Sequence, residues 1–327
     1  MRLFKLFCIS FALLFCSSLQ AESSLPTPMQ SFINQMVQNQ HFDRKTLTTL
    51  FKQVELQPSI IKSITTPYEA QPWYKYRSHF LNQARIEGGV NYWKKNRKFL
   101  EAAQQRYGVD PAIIVGIIGV ETNYGNLIGH YRVIDALSTL AFNYPPRSKF
   151  FTEELKEYLL MCRQQGINPL SLKGSYAGAF GIPQFMPSSS RRFAVAYNPN
   201  SIIDISNKHE DAIMSVANYF KTNHWQLGSP VATPVSIQGS AYKNVLESKV
   251  QLNYSLAQLK QDGVRTSSTL QAQPRASLIE LQDENAPEYW VVFPNFKTIM
   301  SYNPRIAYAM AVYQLSEAVK QRMDESS

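Results

Sequence analysis

The chain has 327 residues, of which 44% are hydrophobic and 12% aromatic, so it can bury a sizeable core in one large domain or two to three small ones. Its formal net charge is +9, from 33 Lys and Arg against 24 Asp and Glu. We interpret this positive excess as spread along the chain, which disfavours a nucleic-acid binder and is compatible with an anionic polymer as partner.

The first 21 residues have the pattern of a secretory signal peptide. Arg2 and Lys5 precede an apolar centre, and Leu19-Gln-Ala21 offers a cleavage site. Cleavage would leave a net charge of +9 − 2 = +7. We therefore expect a periplasmic protein. The alternative is an outer-membrane lipoprotein anchored at Cys16, although the large Phe15 stands where lipidation needs a small residue.

Only one cysteine would remain after this cleavage. Cys8 and Cys16 lie in the signal segment, and Cys162 lies in an apolar run. An intramolecular disulfide is then impossible, so stability must come from the core. We expect Cys162 to be a buried, inert thiol.

The first hundred residues show a helical pattern. Apolar residues recur at helical spacing from Met29 to Val37, and Asp43 is placed to cap a second helix. A further helix is predicted over about 90–107, with Gly108 ending it. Its inward residues are predicted to be Trp93, Phe99, Leu100 and Ala103.

The segment 110–125 predicts a central, buried helix that carries a carboxylate near its end. Asp110 suits the N-cap and Pro111 the first turn, and the residues that follow are apolar on every face up to Glu121. Burial and the negative end of the helix dipole both raise the pKa of such a carboxyl group. A carboxylic acid that stays protonated near neutral pH can act as the general acid of a glycosidase. The alternative is a surface glutamate on the next turn.

Further helices are predicted over 133–142, 150–165, 211–220 and 306–319. Asp135 falls inside one of these patterns and reads as a structural hydrogen-bonding residue. Between 228 and 287 the segments become short, β-prone and rich in turns, and 289–293 predicts a last strand. A small β-containing insert in an α-rich protein is the simplest interpretation.

The segment 173–188 combines small residues with polar and aromatic ones. Ser175 and Gln184 offer directed hydrogen bonds, and Tyr176, Phe180 and Phe185 offer stacking faces for a sugar. The alternative is a tight packing motif without a ligand. The Gly-Lys-Ser/Thr ending of a phosphate loop and the Gly-x-Ser-x-Gly of a nucleophile elbow do not occur here.

Together these motifs resemble the lytic murein transglycosylase B family, glycoside hydrolase family 103. The resemblance covers most of the chain after the signal segment. It rests on motifs in the same order: Pro72-Trp-Tyr-Lys-Tyr-Arg77, Gly116-Ile-Ile-Gly-Val-Glu-Thr122, Asn143-Tyr-Pro145, Gly174-Ser-Tyr-Ala-Gly-Ala-Phe-Gly181, Gln184-Phe-Met-Pro-Ser188, Val216-Ala-Asn-Tyr-Phe220, Tyr302-Asn303 and Tyr308-Ala-Met-Ala-Val312.

The resemblance implies an α+β fold, mainly α, in which a lysozyme-like core is flanked by a helical domain and carries a small inserted β domain. With a signal peptide at 1–21, the expected division has three parts. These are a helical domain at 22–107 completed by 305–327, a catalytic core at 108–227 completed by 288–304, and the β domain at 228–287.

The resemblance also implies cleavage of the β-1,4 bond between N-acetylmuramic acid and N-acetylglucosamine in peptidoglycan. Glu121 would protonate the glycosidic oxygen and then, as a carboxylate, deprotonate the C6 hydroxyl of the muramic acid, which closes a 1,6-anhydro ring. Two alternatives stay open: a hydrolytic muramidase, and a non-catalytic peptidoglycan-binding scaffold that recruits cell-wall synthases.

By motif match, the residues expected to hold the glycan are Ser175, Gln184, Tyr219, Tyr302 and Asn303. Arg147 is the candidate contact for the carboxylates of the stem peptide, and its alternative is an exposed, solubilising arginine. Peptidoglycan strands are the expected partner. A membrane partner follows only if Cys16 is lipidated.

No cofactor or metal is expected. The five histidines are scattered without a His-Glu-x-x-His spacing. The family often carries an EF-hand-like calcium loop, but at the corresponding position Ala196 replaces the first acidic ligand, and Asn198, Asn200 and Asp204 supply little charge. Ser301 and Arg305 also depart from the usual arginine and serine, so the second half of the glycan cleft is expected to differ in detail.

Overall fold

A computed structural model describes residues 25–66, 71–266 and 275–325. The predicted signal peptide, with Cys8 and Cys16, lies outside these residues. The chain divides into two compact units, Met1–Gln53 and Val54–Ser327. In the described ranges, no helix is both long and apolar enough to cross a membrane.

The described part of the first unit, from residue 25 onward, contains two helices, α1 (Thr27–Gln40) and α2 (Arg44–Phe51). The predicted cap is confirmed, because the Asp43 carboxylate accepts a hydrogen bond of 2.7 Å from the amide of Thr46. The rings of Phe32 and Phe51 lie 5.7 Å apart in an edge-to-face contact, which joins the apolar faces of the two helices.

The second unit is mainly helical. Its helices are α3 (Pro58–Thr65), α4 (Trp73–Phe80), α5 (Gln83–Tyr107), α6 (Pro111–Thr122), α7 (Val133–Asn143), α8 (Ser148–Gln165), α9 (Pro187–Phe193), α10 (His209–Thr222), α11 (Leu256–Gln261), α12 (Pro294–Tyr302) and α13 (Ile306–Glu325). Its strands are β1 (Tyr131–Arg132), β2 (Lys173–Gly174), β3 (Ala232–Ile237), β4 (Val264–Thr266), β5 (Ser277–Gln282) and β6 (Pro287–Val292).

Helix α5 is longer than predicted, although it ends as expected at Gly108, which is left-handed with φ 66°. The inward face was partly mispredicted. Trp93 and Phe99 are half-buried, whereas Tyr92 and Asn96 are buried. The side-chain amide of Asn96 donates to the carbonyl of Tyr92, and the hydroxyl of Tyr92 is hydrogen-bonded to His209. Because both polar groups have partners, burying them costs little free energy.

Helix α6 is the centre of the second unit. It is buried on all sides from Ala112 to Val120 and packs against α5, α10 and α13. A Cβ atom at Gly116 would lie 2.1 Å from Ser316 Oγ and 2.9 Å from the carbonyl oxygen of Val312. Only glycine permits this close approach of α6 to α13.

The four longer strands form an antiparallel sheet in the order β4-β3-β6-β5. The β-prone region predicted between 228 and 287 contains β3, β4 and β5, and the strand predicted at 289–293 corresponds to β6, so both predictions are confirmed. One face of the sheet closes over a small core that includes Leu259, Leu278 and Phe293. The three-part domain division stays a prediction.

Candidate functional site

Glu121 is the last residue but one of α6, and its side chain is half-buried. Asp110 occupies the predicted N-cap position, but its side chain does not cap the helix. Instead, Asp110 Oδ2 accepts a hydrogen bond of 3.3 Å from Trp225 Nε1. The start of α6 is thus tied to the segment after α10.

The chain turns sharply just after Glu121. Asn123 and Tyr124 are both left-handed, with φ of 48° and 64°. Tyr124 donates its hydroxyl to the carbonyl of Arg85 at 2.8 Å, and Arg85 Nη1 donates to the carbonyl of Gly119 at 2.6 Å. These contacts with α5 offset the cost of the turn and hold the end of α6 in one position.

Tyr308 donates its hydroxyl to Glu121 Oε1 at 2.5 Å. Tyr308 is buried at 3% exposure, and it projects from α13. Burial, and secondarily the negative charge of Glu121, raises the pKa of Tyr308 well above its ordinary value. The phenol therefore stays protonated and serves as a fixed donor to the Glu121 carboxyl group.

Two further tyrosines form an aromatic wall next to this pair. The rings of Tyr219 and Tyr302 lie 4.8 Å apart. Tyr302 donates to the carbonyl of Pro183 at 2.5 Å, and Tyr219 donates to the carbonyl of Ser301 at 2.6 Å. Burial raises the pKa of Tyr302 well above its ordinary value, with the charge of Glu121 as the next cause. Tyr219 is buried at 7% exposure and packs its ring against those of Phe193 and Tyr302, whereas Tyr302 is half-buried. Tyr219 therefore supports Tyr302 from the protein side of the wall.

Ser175 and Gln184 lie in one folded loop. Ser175 Oγ accepts from the amide of Ala179 at 3.2 Å. Gln184, left-handed with φ 50°, donates its side-chain amide to the carbonyls of Ile128 at 3.1 Å and Gly181 at 2.9 Å.

This loop is joined to the end of α6, because Thr122 Oγ1 donates to the carbonyl of Ile182 at 2.9 Å. Glu121 and the loop therefore share one rigid connection. The small residues of the loop also serve the protein's own packing. Gly178 has φ 82°, and a Cβ atom there would lie 2.4 Å from a methyl group of Leu137.

Asn303 and Arg147 are the outer members of the predicted set. Asn303 is half-buried and directly follows Tyr302 at the end of α12. Arg147 is exposed in a 3-10 turn, and its guanidinium lies 4.3 Å from the ring centroid of Phe150 and 5.1 Å from that of Phe151. This stacking orients the guanidinium at the start of α8.

Asp135 has the structural role that was predicted. It is 1% exposed and accepts hydrogen bonds from Arg132 Nε at 2.6 Å and from the amide of Glu55 at 3.0 Å. Its carboxylate is therefore committed to an ion pair and a backbone group.

The degenerate calcium loop is held by its own side chains. Asp211, which is 1% exposed, accepts from the amides of Tyr197 at 2.8 Å and Asp204 at 2.9 Å. Asp204 Oδ1 accepts from the amides of Ser206 and Asn207, each at 3.0 Å. These hydrogen bonds fix the conformation of the loop without an ion. The described part of the chain contains no group of three or more His, Cys, Asp or Glu that could hold a metal ion.

Comparison with known proteins gives the family. The Transglycosylase SLT domain model matches residues 25–317. The membrane-bound lytic murein transglycosylase B of Escherichia coli strain K12 is 40% identical over 300 residues, which cover 89% of this chain and 82% of that protein. The chain therefore belongs to the lytic transglycosylase family, and it is an enzyme of that family.

Solved structures agree. A catenated lytic transglycosylase SltB1 from Pseudomonas aeruginosa matches with a TM-score of 0.86 and 42% identity, covering 91% of this chain and 98% of that one. SltB3 from the same organism, in complex with NAG-anhNAM-pentapeptide, matches with a TM-score of 0.79 and 28% identity over 89% of this chain and 78% of that one. The predicted fold class, mainly α with a lysozyme-like core, is confirmed.

Proposed function

We propose that this enzyme cleaves the β-1,4 bond between N-acetylmuramic acid and N-acetylglucosamine in peptidoglycan and leaves 1,6-anhydromuramic acid ends, with Glu121 as the single acid and base. The observation that carries the proposal is the Glu121–Tyr308 hydrogen bond of 2.5 Å at the end of a buried helix. Asp135, the other buried carboxylate considered in the sequence, is committed to Arg132. A relative crystallised with NAG-anhNAM-pentapeptide supports the anhydro product.

One carboxyl group suffices for this chemistry because its two roles follow each other. The protonated Glu121 donates to the leaving oxygen of the glycosidic bond. The resulting carboxylate accepts the proton of the C6 hydroxyl, whose oxygen attacks C1 and closes the ring. The oxocarbenium-like state is stabilised by the acetamido group of the substrate. The Tyr308 hydroxyl holds the Glu121 carboxyl group in position and stabilises its carboxylate form between the two steps.

The glycan is held by the loop and the aromatic wall around Glu121. Ser175, Gln184 and Asn303 supply polar contacts, and Tyr302, backed by the ring of Tyr219, supplies a ring face. Arg147 receives the stem-peptide carboxylates, since stacking on Phe150 leaves the edge of its guanidinium free to donate. The signal-like first 21 residues support action in the periplasm.

Mass analysis of digested sacculi tests the proposal. The wild type should release muropeptides one water lighter than the reducing products of a muramidase, and Glu121→Gln should release none. Asp135→Asn is the control and should give the same products as the wild type for each folded molecule. Reducing ends from the wild type would establish the muramidase. Sacculus binding with unchanged products from Glu121→Gln would remove Glu121 from catalysis, and binding with no products from the wild type would establish the scaffold.

A further inference from the structure

The outer face of helix α5 carries a cluster of cations. Lys94, Lys95, Arg97 and Lys98 are all exposed within five consecutive residues. At 100° per residue they span a face about 160° wide. The interpretation of the positive charge as evenly spread is therefore wrong at this helix. We call these four side chains the α5 basic face.

One uncharged residue, Asn96, interrupts this run of cations and faces the protein interior. Asn96, between the cations, is 3% exposed and departs from helical geometry with φ −108° and ψ 16°. Its side-chain amide donates to the carbonyl of Tyr92 at 3.0 Å, so the polar group is satisfied inside the protein. Helical spacing places Asn96 on the side opposite the four charges, so one polar residue faces inward while the charges face outward.

The basic face has no carboxylate partner among the described residues. The ion pairs found among the described residues involve other cations, such as Arg132 with Asp135 and Arg191 with Glu157. Lys98 Nζ lies 4.6 Å from the ring centroid of Phe99, which fixes it on the surface without neutralising it. Three exposed carboxylates lie nearby without pairing with the basic face. Glu101 follows one turn further on, and Glu87 and Glu325 line the same surface depression as Lys94, with Glu325 paired to Arg322.

We propose that the α5 basic face binds the carboxylates of peptidoglycan stem peptides, as an attachment surface separate from the residues around Glu121. This rests on the proposed function, which supplies the polymer. The polymer presents carboxylates repeatedly, so several weak contacts add up. A bilayer fits less well, because membrane-surface helices place large apolar residues beside their cations. The large apolar residues beside these cations, Trp93 and Phe99, are only half-buried, but the ring of Phe99 is occupied by Tyr197, 4.9 Å away, and the exposed large apolar residues of the described chain lie outside α5.

Cosedimentation with intact sacculi tests the attachment surface. The variant changes Lys94, Lys95, Arg97 and Lys98 to Gln in a Glu121→Gln background, which keeps the polymer whole. The matched control changes four exposed lysines elsewhere in the second unit and has the same net charge: Lys243, Lys249, Lys260 and Lys297.

At about 0.05 M salt the basic-face variant should bind sacculi about ten-fold more weakly than its parent, and the control should bind as the parent does. The difference should vanish at about 1 M salt, where charges are screened beyond about 3 Å. Equal loss in both variants, or no loss in either, would overturn the proposal. So would a loss of binding to vesicles of anionic phospholipid with sacculus binding intact.

A soluble glycan-peptide fragment separates this proposal from the proposed function. With Glu121 present, the basic-face variant should cleave the fragment at the rate of the wild type, because that substrate needs no distant attachment. If the wild type does not cleave the fragment, the proposed enzymatic function is refuted, and the sacculus-binding result still stands. A urea midpoint equal to that of the parent verifies that the variant is folded.

Discussion

Tyr308→Phe removes one oxygen atom and tests the central pair directly. The lost contact is a hydrogen bond of 2.5 Å from a buried donor to an ionisable acceptor. Hydrogen bonds to charged groups contribute about 1.5–3 kcal/mol, which corresponds to about 10- to 160-fold in rate. Because Glu121 is only half-buried, water can replace part of this bond. We therefore expect kcat to fall about 10- to 30-fold, with KM nearly unchanged.

The pH profile separates a positioning role from general damage. Loss of a donor favours the protonated carboxyl group, so the alkaline limb of kcat/KM should move to higher pH. Tyr313→Phe is the control, because it removes a hydroxyl from the same helix that donates to the carbonyl of Ala232 at 2.9 Å. It should leave the profile in place. A Tyr308→Phe enzyme with wild-type kcat and an unmoved alkaline limb would refute the role given to this tyrosine.

Four further outcomes are expected. Asp135→Asn should lower the free energy of unfolding by about 2–3 kcal/mol, since Arg132 loses its short, charge-assisted bond to Asp135 and keeps only the longer ion pair with Glu55. The kcat per folded molecule should stay within about two-fold of wild type, and a large loss of kcat at full stability would instead place Asp135 in catalysis. Burial raises the pKa of Tyr313 to about 12, against about 10 when unfolded. Its contribution to stability is complete below about pH 10 and is lost as the pH rises towards about 12, so Tyr313→Phe should flatten the fall in urea midpoint over that interval, and an unchanged slope would contradict this. Burial also raises the pKa of Cys162 to about 12, so a thiol reagent at pH 8 should label Cys162 in the unfolded chain and spare it in the native one, as peptide mass mapping would show. Calorimetry should detect no micromolar calcium binding at loop 195–207, and chelators should leave the melting temperature unchanged.

The sequence predicts helix α6 well and its cap poorly. The apolar run, Asp110 and Pro111 place the helix start correctly. The side chain of Asp110 turns instead to Trp225, which lies 115 residues later in the chain. A local preference for capping is worth about 1 kcal/mol, and a tertiary partner can override it.

Tyr308 shows what the sequence conceals about the site. Its motif was recognised, but a tyrosine among alanines at helical spacing reads as core, and 187 residues separate it from Glu121. Glu154 is a similar case. It follows another glutamate on α8 and no local pattern marks it out, yet it is 5% exposed and accepts a hydrogen bond from Ser188 Oγ at 2.6 Å.

In the β region, the sequence likewise predicts the individual strands but not their order in the sheet. Alternating, turn-bounded segments predict β3, β5 and β6. The order β4-β3-β6-β5 depends on pairing between distant segments, such as Thr233 opposite Val291, which no local pattern encodes.

The missing methyl group at Gly116 has a consequence for engineering. Alanine substitution in helices is a common route to thermostable enzymes. Here the added carbon would meet Ser316 Oγ at 2.1 Å and force α6 and α13 apart. Since one helix carries the acid and the other its tyrosine donor, a wedge only five residues from Glu121 would loosen their alignment. A mutant of this kind could remain folded and soluble while losing turnover, so screens at this position must follow activity and not melting temperature alone.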